Sequence, residues 1–174
     1  INSVVNMINS QYESEVGLTH EITTIIVRSS SNDPYTSTDA GTLLDQFGNE
    51  WNQNQGSIPR DLAHLFTGKN LQNGTIGVAW LGVVCWTNSA YGLAQSDCCG
   101  SISCATDLSA HEMGHGWGAG HCNCTSYTMN PYLVCANQFT TSSENTITAY
   151  ADSVNCLNCE NSAPTGACCI GAQC

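Results

Sequence analysis

The sequence predicts an α+β domain with an α/β-like N-terminal part and an irregular, cysteine-rich C-terminal part. Helical and extended hydrophobic patterns alternate through residues 1–121. After residue 121 such patterns fade, and eight of the twelve cysteines follow it. A chain of 174 residues with 41% hydrophobic content is long enough for one domain with a sizeable core.

The first expected elements are a helix, a strand and a second helix. Apolar residues recur at helical spacing from Val4 to Tyr12, and this helix should end near Gly17. The β-branched run Ile22–Val27 predicts a strand. After a serine-rich loop, a second helix should begin near Asp39 and carry a set of apolar side chains inward, namely Leu43, Leu44, Phe47 and Trp51.

Extended segments dominate the middle of the chain. Asp61–Phe66 is a short apolar segment, and we expect its His64 to be a structural, hydrogen-bonding histidine rather than a metal ligand. Thr75–Cys85 and Ala90–Gln95 predict two strands.

The remaining elements are a cysteine-pinned loop, a helix and a less regular C-terminal part. The loop spans residues 96–104, and Thr106 or Asp107 is expected to cap the helix that follows it. A short helix is expected at Asn145–Ser153. Residues 161–174 predict a small cysteine-rich tail or the start of a further module.

Residues 111–121 spell H-E-x-x-H-x-x-G-x-x-H. Two histidines four residues apart lie on one face of a helix, so His111 and His115 can converge on a metal, with Glu112 flanking the same face. Gly118 permits the chain to reverse, and His121 can return as the third ligand. Three protein nitrogens leave one position open for water, which indicates a catalytic rather than a structural zinc site.

The charge balance argues against two classes of partner. Three Lys and Arg against 14 Asp and Glu give a formal charge of −11, so nucleic acid and anionic membranes are not expected as partners. The longest apolar run, Ile76–Trp86, is too short to cross a bilayer. We expect a monomer whose partner is a protein or peptide substrate.

The twelve cysteines predict a disulfide framework in an oxidising, extracellular compartment, because the three-histidine motif already accounts for a metal site. The alternative is a second zinc site formed by Cys98, Cys104, Cys156 and Cys159. Spacing alone does not determine which cysteines pair.

The chain resembles the metzincin metalloendopeptidases, and among them the reprolysin, or adamalysin-like, branch. The 111–121 motif carries the resemblance, together with Met129 in a tight turn eight residues after the third histidine. Segments of matching order and character are F-G-N-E-W at 47–51, D-L-A-H-L-F-T at 61–67 and T-I-G-V-A-W-L-G-V-V-C at 75–85. The resemblance covers roughly residues 1–160.

This resemblance implies the metzincin fold, in which a twisted, mostly parallel sheet with an antiparallel edge strand packs on the active-site helix. Residues 1–121 would form the upper catalytic subdomain, and residues 122–160 a small, disulfide-rich lower subdomain with the Met-turn. Cys85 would be tied to Cys156 or Cys159.

The resemblance also implies where substrate binds. An extended peptide would pair with the edge strand within 75–84 and lie across the zinc, above the apolar floor that Met129 provides. The segment after the Met-turn would form a wall of the primed-side pocket. The implied substrate-binding residues are Gly77, Val78, Ala79, Trp80, Leu81, Gly82, Pro131 and Tyr132.

Three features depart from the family pattern. Cys122 stands where reprolysins usually have an aspartate after the third histidine, and it is either a disulfide partner or a thiolate ligand. Tyr132 lies three residues after Met129, whereas the zinc-binding tyrosine of astacins and serralysins lies two residues after, so we do not expect it to bind metal. The family's fold usually starts with a strand, whereas this sequence starts at the first long helix.

The predicted function is that of a secreted zinc-dependent endopeptidase with one catalytic Zn²⁺. Glu112 would act as the general base that takes a proton from a zinc-activated water. Calcium is possible in such a protein, but no residue pattern supports it. The alternatives are an inactive zinc-bearing binding or structural domain of the same fold, and a disulfide-rich adhesive module that carries the motif by chance and holds no zinc.

Overall fold

The computed structural model of the protein describes residues 1–96 and 98–157. Within these residues the chain forms four α-helices and three strands, with a short 3₁₀ turn between the first two strands. The helices are α1 (Asn2–Val16), α2 (Ala40–Asn54), α3 (Ile102–Gly116) and α4 (Thr141–Ser153). The strands are β1 (Ala63–Thr67), β2 (Gly77–Ala79) and β3 (Tyr91–Gln95).

The three strands form one sheet in the order β1-β3-β2. β1 runs parallel to β3, with Leu65 opposite Leu93. β2 lies at the edge and is antiparallel to β3, with Val78 opposite the same Leu93. The α+β fold and its antiparallel edge strand are therefore as predicted.

Helices cover both faces of the sheet. Leu43, Leu44 and Phe47 of α2 are buried against one face, as the sequence predicted, together with Tyr91 and Leu93 of β3. On the other face, α3 contacts β2 and β3, while α1 packs against α3 and α4.

A second apolar cluster holds the outer helices onto α3. Ile8 and Tyr12 of α1 are fully buried in it, and so is Ile147 of α4. The Tyr12 hydroxyl also donates a hydrogen bond of 3.0 Å to the backbone carbonyl of Ala110. Because Ala110 precedes the first histidine of the motif, this packing fixes the middle of α3.

Two predicted helix ends are confirmed. Gly17 follows α1 with φ 69°, in the left-handed region that glycine occupies without strain. At the start of α2, the carboxylate of Asp39 accepts a hydrogen bond of 2.9 Å from the backbone N–H of Thr42.

The predicted strand at Ile22–Val27 is wrong. These residues belong to no strand, and their apolar side chains are exposed, with Val27 78% exposed. A long hydrogen bond, 3.5 Å from the Thr23 hydroxyl to the Pro59 carbonyl, joins this segment to the residues before β1. A β-branched run favours extended backbone, but a strand also needs a paired neighbour. Among the described residues the only strand that pairs with β1 is β3, so residues 22–27 do not extend the sheet.

The predicted strand at Thr75–Cys85 is too long, because only Gly77–Ala79 is paired. The backbone then turns away, with φ 64° at Gly82 and φ 73° at Cys85. The N–H of Gly82 donates to the carbonyl of His115 at 2.8 Å, and that of Val84 to the carbonyl of Gly116 at 3.1 Å. The second half of the apolar run therefore satisfies the C-terminal carbonyls of α3 instead of a sheet.

The predicted start of the motif helix is also wrong. Ser101 caps α3, and its hydroxyl accepts a hydrogen bond of 3.2 Å from the N–H of Cys104. Thr106 and Asp107 lie more than a turn inside the helix and are each 1% exposed. The Thr106 hydroxyl donates back to the carbonyl of Ile102 at 2.8 Å, which a capping residue does not do.

The last helix begins four residues earlier than predicted, at Thr141 instead of Asn145. Thr140 caps it by accepting a hydrogen bond of 3.1 Å from the N–H of Ser143. The polar first turn carries little apolar periodicity, so the capping threonine was the signal that the sequence offered for this start.

Four disulfides occur in the described part of the chain: Cys85–Cys156, Cys98–Cys99, Cys104–Cys135 and Cys122–Cys124. The tie between Cys85 and the C-terminal region is thus confirmed. The alternative of a second zinc site is wrong, because three of its four proposed cysteines are disulfide-bonded. The fourth, Cys159, and the predicted tail 161–174 lie outside the described residues, and no described helix has the length and hydropathy needed to span a bilayer.

Candidate metal centre

Three histidine side chains converge at the C-terminal end of α3. His111 and His115 lie one turn apart on this helix, and His121 approaches from the segment that follows it. The reversal occurs at Gly118, whose φ of 86° is open to glycine and strained for other residues, as the motif predicted. The Nε2 atom of His121 lies 3.2 Å from the Nε2 atoms of both other histidines.

Backbone carbonyls hold two of these rings by their other nitrogen. Nδ1 of His111 lies 2.7 Å from the carbonyl oxygen of Thr128, and Nδ1 of His115 lies 2.7 Å from that of Ala119. A carbonyl only accepts hydrogen bonds, so Nδ1 is the protonated nitrogen in both rings. Each Nε2 therefore directs its lone pair into the space that the three rings share.

The geometry fits a zinc ion. Tetrahedral zinc with nitrogen ligands at about 2.0–2.1 Å requires neighbouring ligand atoms about 3.3 Å apart, close to the 3.2 Å that separates Nε2 of His121 from Nε2 of each helical histidine. Three neutral imidazole nitrogens are also a donor set that zinc accepts readily. His111, His115 and His121 therefore form a site of the kind that holds zinc in metalloproteases.

The surroundings favour the neutral form of these ligands. Burial lowers the pKa of His111 to about 4, with smaller contributions of the same sign from His115 and His121. Burial and the neighbouring His121 also lower the pKa of His115. Because a metal binds the unprotonated imidazole, both rings are ready to bind near neutral pH.

Glu112 points away from solvent towards the edge strand. Its residue is 4% exposed, burial raises its pKa to about 8, and its Oε2 atom has no hydrogen-bond partner among the described residues. The nearest strand residue is Gly77, where a Cβ atom would lie 2.8 Å from Cδ of Glu112. A larger residue at this point of β2 would therefore displace the carboxyl from its present position.

Met129 lies under the motif helix. It is fully buried in a turn closed by a hydrogen bond of 3.0 Å from the N–H of Asn130 to the carbonyl of Tyr127. A Cβ atom on Gly114 would lie 2.7 Å from the Met129 sulfur, so the thioether packs directly against α3 between the two helical histidines. Its carbonyl accepts a hydrogen bond of 2.9 Å from the N–H of Cys122.

The residues that the resemblance implied for substrate binding fall into three groups. Gly77, Val78 and Ala79 form β2, whose outer edge has no strand neighbour among the described residues. Trp80 and Leu81 leave the strand and are 49% and 60% exposed, whereas Gly82 contacts the end of α3. The third group is Pro131 and Tyr132, which follow the Met-turn and are exposed.

Sequence reasoning missed the role of two buried residues beside the histidines. Asp107 and Thr128 hydrogen-bond to each other and link α3 to the Met-turn segment. The available signal was the spacing of Asp107, one turn ahead of His111 on the same helical face. His64 does not belong to the three-histidine group, and neither of its buried ring nitrogens has a hydrogen-bond partner among the described residues.

Comparison with known proteins agrees with this geometry. A curated relative, Snake venom metalloproteinase atroxlysin-1 from Bothrops atrox, is 32% identical over 102 residues, which make up 54% of this chain and 50% of the relative. The chain thus spans about half the length of the curated relative that it matches. Residues 1–122 match the family model described as Metallo-peptidase family M12B Reprolysin-like, and this range includes all three histidines and Glu112. The chain therefore belongs to the reprolysin-like metallopeptidase family M12B.

Proposed function

We propose that this protein is a zinc-dependent endopeptidase that hydrolyses peptide bonds in proteins. The observation that carries the proposal is the convergence of three Nε2 atoms, with that of His121 3.2 Å from each of the other two, at a helix whose next residue after His111 is the buried Glu112. A structural zinc site normally has four protein ligands, whereas this cluster offers three and leaves a position open.

His111, His115 and His121 would hold the zinc ion. When bound, zinc supplies Lewis-acid polarisation of the scissile carbonyl and of the attacking water. The carbonyls of Thr128 and Ala119 keep two of the rings in the required tautomer and orientation.

Glu112 would move the proton. Its Oε2 atom is unpaired and therefore free to accept a proton from the attacking water and to deliver it to the leaving amine nitrogen. Burial raises the pKa of this carboxyl to about 8, and a cation held by the three histidines would lower it by Coulomb attraction. A carboxyl balanced in this way can act first as base and then as acid.

The free edge of β2 would hold the substrate. An extended peptide can add to this edge by hydrogen bonding to the backbone of Gly77 and Ala79, next to Glu112. We extend the proposal to Trp80, Leu81 and Gly82, which follow β2 in the chain, and to Pro131 and Tyr132 as a wall of the primed-side pocket.

We further propose that the enzyme is secreted and acts outside the cell. We also propose that it consists of two subdomains, residues 1–121 and 122–160. The four disulfides support an oxidising compartment, because such bonds are rare in a reducing cytosol. The lack of regular elements between His121 and α4 supports the division.

The direct test is to compare Glu112→Gln with the wild type at equal zinc occupancy. We expect cleavage of a denatured protein substrate to fall by about 10²–10⁴-fold, since only the proton-transfer group is removed. Glu21→Gln, at an exposed position, is the matched control and should cleave like the wild type.

The outcomes separate the proposal from its rivals. A wild type that binds stoichiometric zinc but cleaves nothing in a diverse peptide library is an inactive zinc-bearing domain. A folded wild type without zinc fits the adhesive module. Undiminished cleavage by Glu112→Gln leaves the peptidase assignment standing but removes Glu112 from the mechanism.

A further inference from the structure

Asp107 is an acidic side chain in the interior of the protein without a basic partner. It is 1% exposed in the middle of α3. The one ion pair among the described residues joins Arg28 and Glu50, at 2.6 Å. A buried carboxyl is costly unless it is fully hydrogen-bonded, so its position requires an explanation.

Three donors surround the carboxyl of Asp107. Oδ1 accepts from the Thr128 hydroxyl at 2.7 Å and from the Asn137 N–H at 2.9 Å, and Oδ2 accepts from the Ala136 N–H at 3.0 Å. All three donors belong to the Met-turn segment and the residues that follow it. The Asp107 side chain therefore adds three hydrogen bonds to the link between α3 and this segment, which the Cys104–Cys135 disulfide also joins.

The direction of the bond to Thr128 follows from counting donors. The hydroxyl oxygen of Thr128 accepts hydrogen bonds from Nε2 of Gln11 at 3.1 Å and from the backbone N–H of Gln138 at 3.0 Å. A hydroxyl has two lone pairs and one hydrogen, so its hydrogen is left for Asp107. Each hydrogen-bonding position of this hydroxyl is occupied, and Thr128 itself is only 2% exposed.

The same threonine holds the first histidine of the metal centre. Its carbonyl oxygen lies 2.7 Å from Nδ1 of His111, and its N–H donates to the carbonyl of Gln138 at 2.7 Å. Asp107 and His111 lie one turn apart on α3. The helix, Asp107, Thr128 and His111 therefore form a closed ring of contacts.

We propose that Asp107 is a positioning residue for the metal centre. It fixes Thr128 so that the threonine carbonyl holds the His111 ring with Nε2 directed into the site. Its carboxylate also places a negative charge behind the ligand cluster, which favours a bound cation. This inference rests on the proposed zinc site, and it concerns metal affinity and ligand geometry as well as turnover.

The test compares Asp107→Asn and Thr128→Val with the wild type. Asp107→Asn replaces an acceptor by an amide donor, and Thr128→Val removes the hydroxyl while keeping the carbonyl. We expect each variant to bind zinc about 10–100-fold more weakly in competition with a chelator. We also expect a shift in the visible absorption bands of the cobalt-substituted protein, because the His111 ring is less constrained.

Ser103→Ala is the matched control. Ser103 lies one turn before Asp107 on α3 and accepts a hydrogen bond of 2.8 Å from the Asn137 side chain. Its removal loosens the same segment without touching Thr128 or His111. Zinc affinity and the cobalt spectrum should stay as in the wild type, although the protein is slightly less stable.

The double variant tests whether Asp107 acts through Thr128. If it does, Asp107→Asn combined with Thr128→Val weakens zinc binding by less than the product of the two single effects. Single variants that bind zinc as tightly as Ser103→Ala, with an unchanged cobalt spectrum, would overturn the inference while leaving the zinc site in place. A wild type that binds no zinc would instead overturn the proposed function.

Discussion

The five histidines of this protein form two groups with different surroundings. His111, His115 and His121 approach one another, and carbonyl groups hold the first two rings by Nδ1. His20 and His64 are half-buried, His20 against Tyr12 and Trp117 and His64 on β1. Burial lowers the pKa of each to about 4.

Comparison with His20 and His64 shows which features the three metal-site histidines have in addition to burial. Nε2 of His20 accepts a hydrogen bond of 3.2 Å from the Trp117 indole, and Nδ1 lies 3.1 Å from the side-chain oxygen of Asn9, so both nitrogens are occupied. Neither ring nitrogen of His64 has a hydrogen-bond partner among the described residues, and His64 belongs to no described group of three potential metal ligands. A metal centre thus requires acceptors that fix one nitrogen of each ring and leave the others facing a common space.

The largest expected effect is the difference in zinc binding between variants that replace one histidine of each group. His115→Gln should weaken zinc binding by about 10³-fold or more, because a zinc site divides some 10–16 kcal/mol among few ligands. His64→Gln should retain stoichiometric zinc. Zinc analysis after dialysis against a weak chelator checks both variants, and equal zinc contents would contradict the division into two groups.

The next effect concerns the space that Gly77 leaves for Glu112. In Gly77→Ala the new Cβ would lie 2.9 Å from Cγ of Glu112, so the carboxyl must move. We expect peptidase activity to fall by about 10²-fold, since small displacements of a reacting group have effects of this size. Zinc content should stay unchanged.

Gly68→Ala is the control for this prediction, because a Cβ at Gly68 meets no atom within 4 Å. Comparable activity in the two alanine variants would show that the contact between β2 and Glu112 is unimportant.

A smaller effect is expected from truncating Met129, which packs beneath the three metal-site histidines. Met129 is fully buried, so Met129→Ala should lower the free energy of unfolding by about 2–5 kcal/mol. Met7 is 37% exposed, and Met7→Ala should change the free energy of unfolding by about 0.5 kcal/mol. Urea titrations of the metal-free, disulfide-intact proteins measure both changes, and equal losses would argue against a packed Met-turn.

The smallest effect concerns pH and the second group. Burial lowers the pKa of His20 from 6.5 to about 4, so the unfolded chain binds its proton first. The stability contribution of neutral His20 is complete above pH 6.5 and is lost as the pH falls towards 4. His20→Gln should therefore lose less stability over this window, by at most about 1.4 kcal/mol per pH unit.

Unfolding of the metal-free proteins at several pH values between 7 and about 4.5 checks this prediction. His64 has the same sign of shift and remains in the variant, so a residual acid sensitivity is expected. Parallel curves for wild type and variant would contradict the burial of a neutral His20 ring.

The histidine site could be predicted from sequence because its spacing is local. The positions of His111 and His115 follow from helical geometry, and Gly118 with its φ of 86° provides the reversal that the motif requires. The start of α2 at Asp39 was predictable for the same reason, since the cap and the helix are adjacent in the chain.

The failed predictions depended on distant partners. Ile22–Val27 and Gly82–Val84 were both expected in strands, but the first lacks a paired neighbour among the described residues and the second bonds to the end of α3. Asp107 has the residue type of a helix cap, yet its partners are Thr128, Ala136 and Asn137, more than 20 residues later. A local pattern does not show which distant group completes a hydrogen bond.

The central claim is that three histidine Nε2 atoms bind a zinc ion, and X-ray absorption at the zinc edge of the purified protein tests it most directly. Cys122 adjoins the third histidine and is bonded to Cys124, so no thiolate ligand is expected. We predict one zinc ion per chain with three imidazole nitrogens at about 2.0–2.1 Å. A sulfur ligand at about 2.3 Å, or the absence of stoichiometric zinc, would contradict the account.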